Sequence, residues 1–296
     1  MNRFPPLSAS LALSACLLCW FYSSGCQKDS AAKFDDRPQL TAAVTLRDVT
    51  FHSSALGREM TYRAIFPTGL GPGKKLQVVY LLHGGGGGFR DWSNYSDAGR
   101  YADRGILLVM PEGNSSYYVN SAEQPKERYE DYIVQDLMAD VEGRFAVGKG
   151  RQNRAIAGVS MGGYGAINLA LKHPNLFGFA AGISPAIDVP NRPFSIRRLE
   201  QWRRFQSIFG EIGSNTRREN DPFLVVRKSD PAIAPYFYLT CGDKEGLMAS
   251  NKQFASLLSQ RNFHYEFHEV PGDHNWKQWR AQVPNLFQRI LTILNL

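Results

Sequence analysis

The chain has 296 residues, with 34 lysines and arginines against 27 aspartates and glutamates, a formal net charge of +7 at pH 7. With 43% hydrophobic and 21% charged residues, it suits one large domain behind a leader and excludes disordered, fibrous and repeat architectures. The basic excess reads as a solvated surface and not as a nucleic-acid footprint, although Arg197, Arg198, Arg203 and Arg204, with Arg217 and Arg218 nearby, are interleaved with Trp202 and Phe205 in a pattern that would also suit a lipid headgroup or an acidic glycan.

Residues 1–26 have the layout of an export leader: Arg3 gives a positive start, an apolar stretch runs from Leu7 to Tyr22, and Ser23, Ser24 and Gly25 are small. The run ending at Cys26 resembles a bacterial lipobox, which makes Cys26 the candidate for lipidation and for a membrane tether. Leu13-Ser14-Ala15-Cys16 is a second candidate, but it would leave Leu17 to Tyr22 as an exposed apolar terminus. A plain cleaved signal or an uncleaved anchor is the alternative; each version predicts a periplasmic, secreted or tethered protein. Cysteines stand at 16, 19, 26 and 241, so the folded domain keeps only Cys241. No disulfide framework or cysteine metal site follows, and Cys241 reads as a small buried residue.

Residues 27–41 are polar and read as a linker, leaving 42–296 as the domain. Alternating runs at Val44–His52 and Met60–Phe66 predict an antiparallel hairpin. The continuous apolar run Leu76–Leu82 predicts a strand covered on both faces, and similar runs recur at Ile106–Met110, Arg154–Val159, Phe179–Ile183, Tyr236–Thr240 and Phe263–Val270. Helical spacing appears at Tyr132–Phe145, Gly163–Lys172, Ser250–Gln260 and Trp276–Leu294, the last with Pro284 inside it as a break or kink. This alternation predicts an α/β fold: a mostly parallel central sheet with helices on both faces. The stretch from Ile187 to Ala232 departs from it and reads as an insertion over the C-terminal edge of the sheet, where a fold of this kind binds ligands.

The strongest chemical signal is Gly158-Val159-Ser160-Met161-Gly162, set between an apolar strand and the helix-like GYGAINLALK. Strand, sharp turn and helix are the context of a nucleophile elbow, which makes Ser160 the candidate nucleophile. A serine hydroxyl needs a base to take its proton. Of six histidines, His52 lies in the hairpin, His83 in a glycine loop, His173 at the end of the elbow helix, and His264 and His268 in a strand. His274 follows the last predicted strand in a loop at the C-terminal edge, so it is the candidate base.

A carboxylate should follow the strand Tyr236–Thr240 to orient that histidine. Cys241-Gly242-Asp243-Lys244-Glu245 offers two; the spacing after the glycine selects Glu245, with Asp243 as the alternative, and Asp273 is discounted because neighbouring side chains point apart. His83 followed by Gly84 to Gly88 supplies a loop whose backbone can approach a substrate. The N–H groups of Met161 and Gly85, with Gly86 as the alternative to Gly85, are the candidate oxyanion donors. The same glycines do not spell a phosphate cradle.

The stretches ALGREMTYRAIFP, YLLHGGGG with Asp91-Trp92, MPEGNSSYYVN, YEDYIVQDL, GVSMGGYGA, CGDKEGL and GDHNWKQW occur in order from about Leu56 to Trp279. Together they resemble the esterase D-like branch of the α/β-hydrolases, which includes S-formylglutathione hydrolases, feruloyl and acetyl esterase domains, tributyrin esterases and mycolyltransferases. The resemblance implies an α/β-hydrolase fold, a triad of Ser160, Glu245 and His274, oxyanion donors Gly85 and Met161, and no metal or cofactor. The sequence departs from the family pattern at the acid, where aspartate is common. The expected activity is hydrolysis of short-acyl, acetyl or feruloyl esters on a small molecule or glycan. The alternatives are acyl transfer to a sugar hydroxyl, a thiolesterase resembling S-formylglutathione hydrolase, and a non-catalytic binding lipoprotein.

Overall fold

Alternating and continuous apolar runs become strands close to where the sequence places them. The computed structural model describes residues 35–194 and 196–296; Cys16, Cys26 and the rest of the leader lie outside the described residues. The strands are β1 (Val44–Ser53), β2 (Arg58–Pro67), β3 (Gln77–Leu82), β4 (Ile106–Pro111), β5 (Arg154–Val159), β6 (Phe179–Ile183), β7 (Tyr236–Gly242) and β8 (Tyr265–Val270). They form one sheet in the order β1-β2-β4-β3-β5-β6-β7-β8. The β1–β2 and β2–β4 pairings are antiparallel, and every pairing from β4 through β3 to β8 is parallel. The expected α/β architecture with its N-terminal hairpin is therefore what the chain adopts.

Parallel neighbours require crossovers, and helices supply them. Short α1 (Asp91–Tyr95) precedes β4; α2 (Tyr129–Asp131), a π-helical stretch at Tyr132–Leu137 and α3 (Met138–Arg144) run on as one helical segment before β5. Then come α4 (Met161–Lys172), the trio α5 (Leu199–Phe209), α6 (Asn215–Glu219) and α7 (Pro222–Lys228), and finally α8 (Met248–Gln260) and α9 (Trp276–Ile293). One apolar cluster joins Val78, Tyr80, Leu82 and Ile156 to Ile133, Ile167 and Phe254. A second, on the opposite face of the strands, joins Val79, Leu81, Ala157 and Phe179 to Val283, Leu286 and Ile290 of α9. Strand side chains alternate between the two clusters, as the two-residue period of a strand demands.

Two details differ from expectation, and a third segment takes on definite structure. The helix α9 runs through Pro284 without a break; the buried Val283, Leu286 and Phe287 around it hold the helix against the sheet and offset the lost backbone bond. Residues 36–41, read as linker, are docked: Asp36 pairs with Arg63 at 2.6 Å, and the Gln39 N–H donates to the Ser93 carbonyl at 2.8 Å. The segment after β6, read as an insertion over the C-terminal edge, is helical and irregular. Its α5 packs by Phe205 and Phe209 against Tyr164 of the elbow helix, in a third small cluster. Those two apolar residues recur at helical spacing, while Arg203 and Arg204 just before them stay exposed.

Candidate active site

The β5–α4 turn is built by steric exclusion. Ser160 sits at φ 53° and ψ −113°, a conformation that L-residues adopt only under constraint. The constraint is a set of backbone bonds: the Ser160 N–H donates to the Ile183 carbonyl at 2.9 Å, and its carbonyl accepts from Tyr164 and Ala186 at 3.0 and 3.1 Å. A side chain on Gly158 would lie 2.2 Å from the backbone of Gly162, and one on Gly162 would lie 2.3 Å from the Leu82 carbonyl oxygen. Glycine two before and two after the serine is thus a packing requirement, and the strained turn that results presents the hydroxyl.

Three residues far apart in sequence then meet. His274 Nε2 lies 2.8 Å from Ser160 Oγ, and its Nδ1 lies 2.6 Å from Glu245 Oε2. The Glu245 side chain is fully buried, whereas that of His274 is 37% exposed. Burial raises the Glu245 pKa, but hydrogen bonds from His274, Ser184 and the Gly242 N–H outweigh it and hold the carboxyl below its ordinary value. An ionised Glu245 can only accept, so the imidazole donates from Nδ1 and keeps Nε2 free to accept the serine proton. Asp243, the alternative acid, is elsewhere: its carboxylate accepts from the Gly272 N–H at 2.9 Å and its own N–H donates to the Val270 carbonyl at 2.8 Å. It ties the end of β8 to the end of β7, so it holds the loop that bears His274 without touching the imidazole.

Two further side chains complete the arrangement, and neither was singled out from the sequence. Ser184, fully buried at the end of β6 with φ 49°, donates from Oγ to Glu245 Oε1 at 2.5 Å. Ser184 Oγ in turn accepts from Trp279 Nε1 at 3.2 Å, and the Trp279 ring meets His274 edge to face at 4.9 Å between centroids. Ser184 has no local motif around it; the only signal was a small polar residue closing the strand next to the elbow strand.

The glycine loop lies beside the elbow. A side chain on Gly84 would come within 3.7 Å of Ser160 Cβ, and one on Gly85 within 3.9 Å of Met161 Cβ. Its carbonyls are tied back: Leu82 accepts from Trp92 Nε1 at 3.0 Å, His83 from the Tyr118 hydroxyl at 3.1 Å, and Gly84 from the Gly87 N–H at 3.1 Å. The last bond closes a tight turn whose third residue, Gly86, takes φ 75°, as a type II turn requires. Met161 opens α4, where backbone N–H groups point out of the helix end. Gly85 is the residue of that turn set beside Met161, whereas a side chain on Gly86 would meet nothing within 4 Å.

The other candidates fall into structural roles. His83 bridges the Gly84 carbonyl and the Gly113 N–H at 2.7 and 2.9 Å, His173 contacts Glu130 at 2.7 Å, and His268 contacts Glu266 at 2.9 Å. Cys241 is buried, and burial, reinforced by the nearby Glu245 charge, pushes its thiol up to about 12, which leaves no thiolate for chemistry.

A cleft of about 780 Å³ reaches Ser160 and His274, and the insertion supplies much of its lining through Asp188, Arg192, Arg197, Arg198, Trp202 and Phe205. A hydroxyl bonded to an imidazole that is in turn bonded to a buried carboxylate suits acyl transfer through a covalent intermediate.

The fold is that of the α/β-hydrolases. A fluorophosphonate-binding serine hydrolase of Staphylococcus aureus, solved with substrate bound, superposes with a TM-score of 0.72 at 26% identity, covering 86% of this chain and 99% of that one. The family model described as "Putative esterase" matches residues 53–290. The chain belongs to that family, and its class of activity is carboxylic ester hydrolysis. An acetyl esterase of Caldicellulosiruptor saccharolyticus is 24% identical over 261 residues, which span 83% of this chain and 97% of that protein. An esterase of Mycobacterium tuberculosis is 26% identical over 274 residues, and the match spans 58% of its length.

Proposed function

We propose that this protein is a serine carboxylesterase in which Ser160 is the nucleophile, His274 the general base and Glu245 the acid that orients it. The observation that carries the reading is the unbroken hydrogen-bonded path from Ser160 Oγ through both imidazole nitrogens to a buried carboxylate. As Ser160 attacks the ester carbonyl, His274 Nε2 takes its proton and Glu245 stabilises the imidazolium. The carbonyl oxygen gains negative charge and is met by the N–H groups of Met161 and Gly85. Collapse expels the alcohol, which takes the proton from His274. Water then attacks the acyl-enzyme by the same route and frees Ser160.

Short acyl esters, acetyl or feruloyl among them, are the substrates this reading favours. One relative is named an acetyl esterase and another carries a feruloyl esterase. The lining of the cleft includes apolar rings, Tyr117, Trp202 and Phe205, as well as charge.

Replacing Ser160 by alanine should abolish hydrolysis of p-nitrophenyl acetate, a fall of about a thousandfold or more in kcat, with an unchanged circular dichroism spectrum. Retention of full activity by that variant would remove Ser160 from the reaction.

A further inference from the structure

Acyl transfer at Ser160 makes no use of the arginines that the insertion brings to the same cleft, and the charges there do not cancel. Asp188 is paired with Arg192, at 2.9 Å between Oδ1 and Nη2. The Glu245 carboxylate is taken up by His274, Ser184 and the Gly242 N–H. Arg197 and Arg198, exposed at the end of a short turn before α5, make no ion pair or hydrogen bond among the described residues, and both line the cleft. Trp202, held edge to face against Phe194 at 5.1 Å, lines it too, and its buried Nε1 has no acceptor among the described residues. Two uncompensated cations and an unmatched donor thus share a concave site with the serine. Such a wall concentrates anions because its field is focused by the low-dielectric cleft around it.

Resting on the esterase reading above, we infer that the natural ester carries a carboxylate, which Arg197 and Arg198 hold while its ester carbonyl lies at Ser160. The carboxylate belongs either to the acyl part or to the alcohol part of the ester, and matched substrates separate the two.

Four esters in two isosteric pairs make the test: mono-p-nitrophenyl glutarate against the p-nitrophenyl ester of glutaric acid monoamide for the acyl side, and 4-acetoxybenzoate against 4-acetoxybenzamide for the alcohol side. At low ionic strength the wild type should favour the anionic member of one pair by about tenfold in kcat/KM, the effect of two screened ion contacts. Adding salt should erase that preference. The double variant R197Q/R198Q should lose it as well, while hydrolysing the neutral esters within about twofold of wild type. A matching thermal midpoint shows that this variant is folded.

A preference in the glutarate pair places the carboxylate on the acyl side; one in the benzoate pair places it on the alcohol side. Equal rates within both pairs, or a preference that survives in the double variant, overturns the inference and leaves the esterase reading standing. Failure of the wild type to hydrolyse any of the four overturns the esterase reading, and this inference with it.

Discussion

Ser184 gives a hydrogen bond to Glu245 and receives one from Trp279, so a single hydroxyl joins the proposed acid to the ring that flanks the proposed base. Substituting alanine leaves the indole N–H without a partner and removes one of the bonds that keep Glu245 ionised. The expected result for Ser184→Ala is a loss of about 1–2 kcal/mol in stability and a fall of about tenfold in kcat with little change in KM. Steady-state kinetics beside urea denaturation would check it; an unaltered kcat would reduce Ser184 to a packing residue. Ser160 was legible as a candidate because its signature is local: two glycines, a strand before and a helix after. His274 and Glu245 were legible from chain order, each following a recognisable strand. Ser184 was not, since a serine at the end of a strand has no distinguishing neighbours until the sheet sets β6 between β5 and β7.

At the level of elements, apolar runs marked strands β3 to β7 because a strand buried on both faces has few other compositions open to it, whereas the edge strand β8, read the same way, has no buried residue. The region between β6 and β7 resisted such reading: α5 to α7 are short, and their apolar residues are chosen to fit Tyr164 and one another, as Tyr117, Phe205 and Phe209 show. Pro284 misled for a related reason, since packing of the flanking residues outweighed a local preference. Glycines separate the two influences in a measurable way. Gly162→Ala drives a methyl group into the Leu82 carbonyl, and should cost about 3 kcal/mol or more. Gly143 is exposed in α3 with open space around it, so Gly143→Ala should stabilise by about 0.5–1 kcal/mol. Opposite shifts of the urea midpoint in the two variants are expected; a stable, active Gly162→Ala enzyme would contradict the steric account of the elbow.

Across the whole molecule, buried carboxylates set the response to acid. Burial raises Glu112, but His83 and the Asn114 and Phe89 N–H groups bring it below its ordinary value. Glu130 is likewise lowered against burial, by His173 and Lys172, and Glu245 by its three partners. Each contributes stability that is complete above the unfolded glutamate value near ~4.3 and is lost as pH falls through the lower folded value. Asp91 works in the other direction: burial raises it, so its contribution is lost as pH rises. These three against Asp91, with Asp36, Glu127 and Glu266 lowered as well, predict a urea midpoint that declines below about pH 4.3, and a midpoint flat down to pH 3 would show that these contacts are not formed in solution. The last four strands lie side by side in the order in which they occur along the chain, and their C-terminal ends carry, in turn, Ser160, Ser184, Glu245 and His274. A ribosome therefore releases the hydroxyl first and the imidazole last, and on the proposed chemistry a nascent polypeptide has no hydrolytic power until that final loop has emerged.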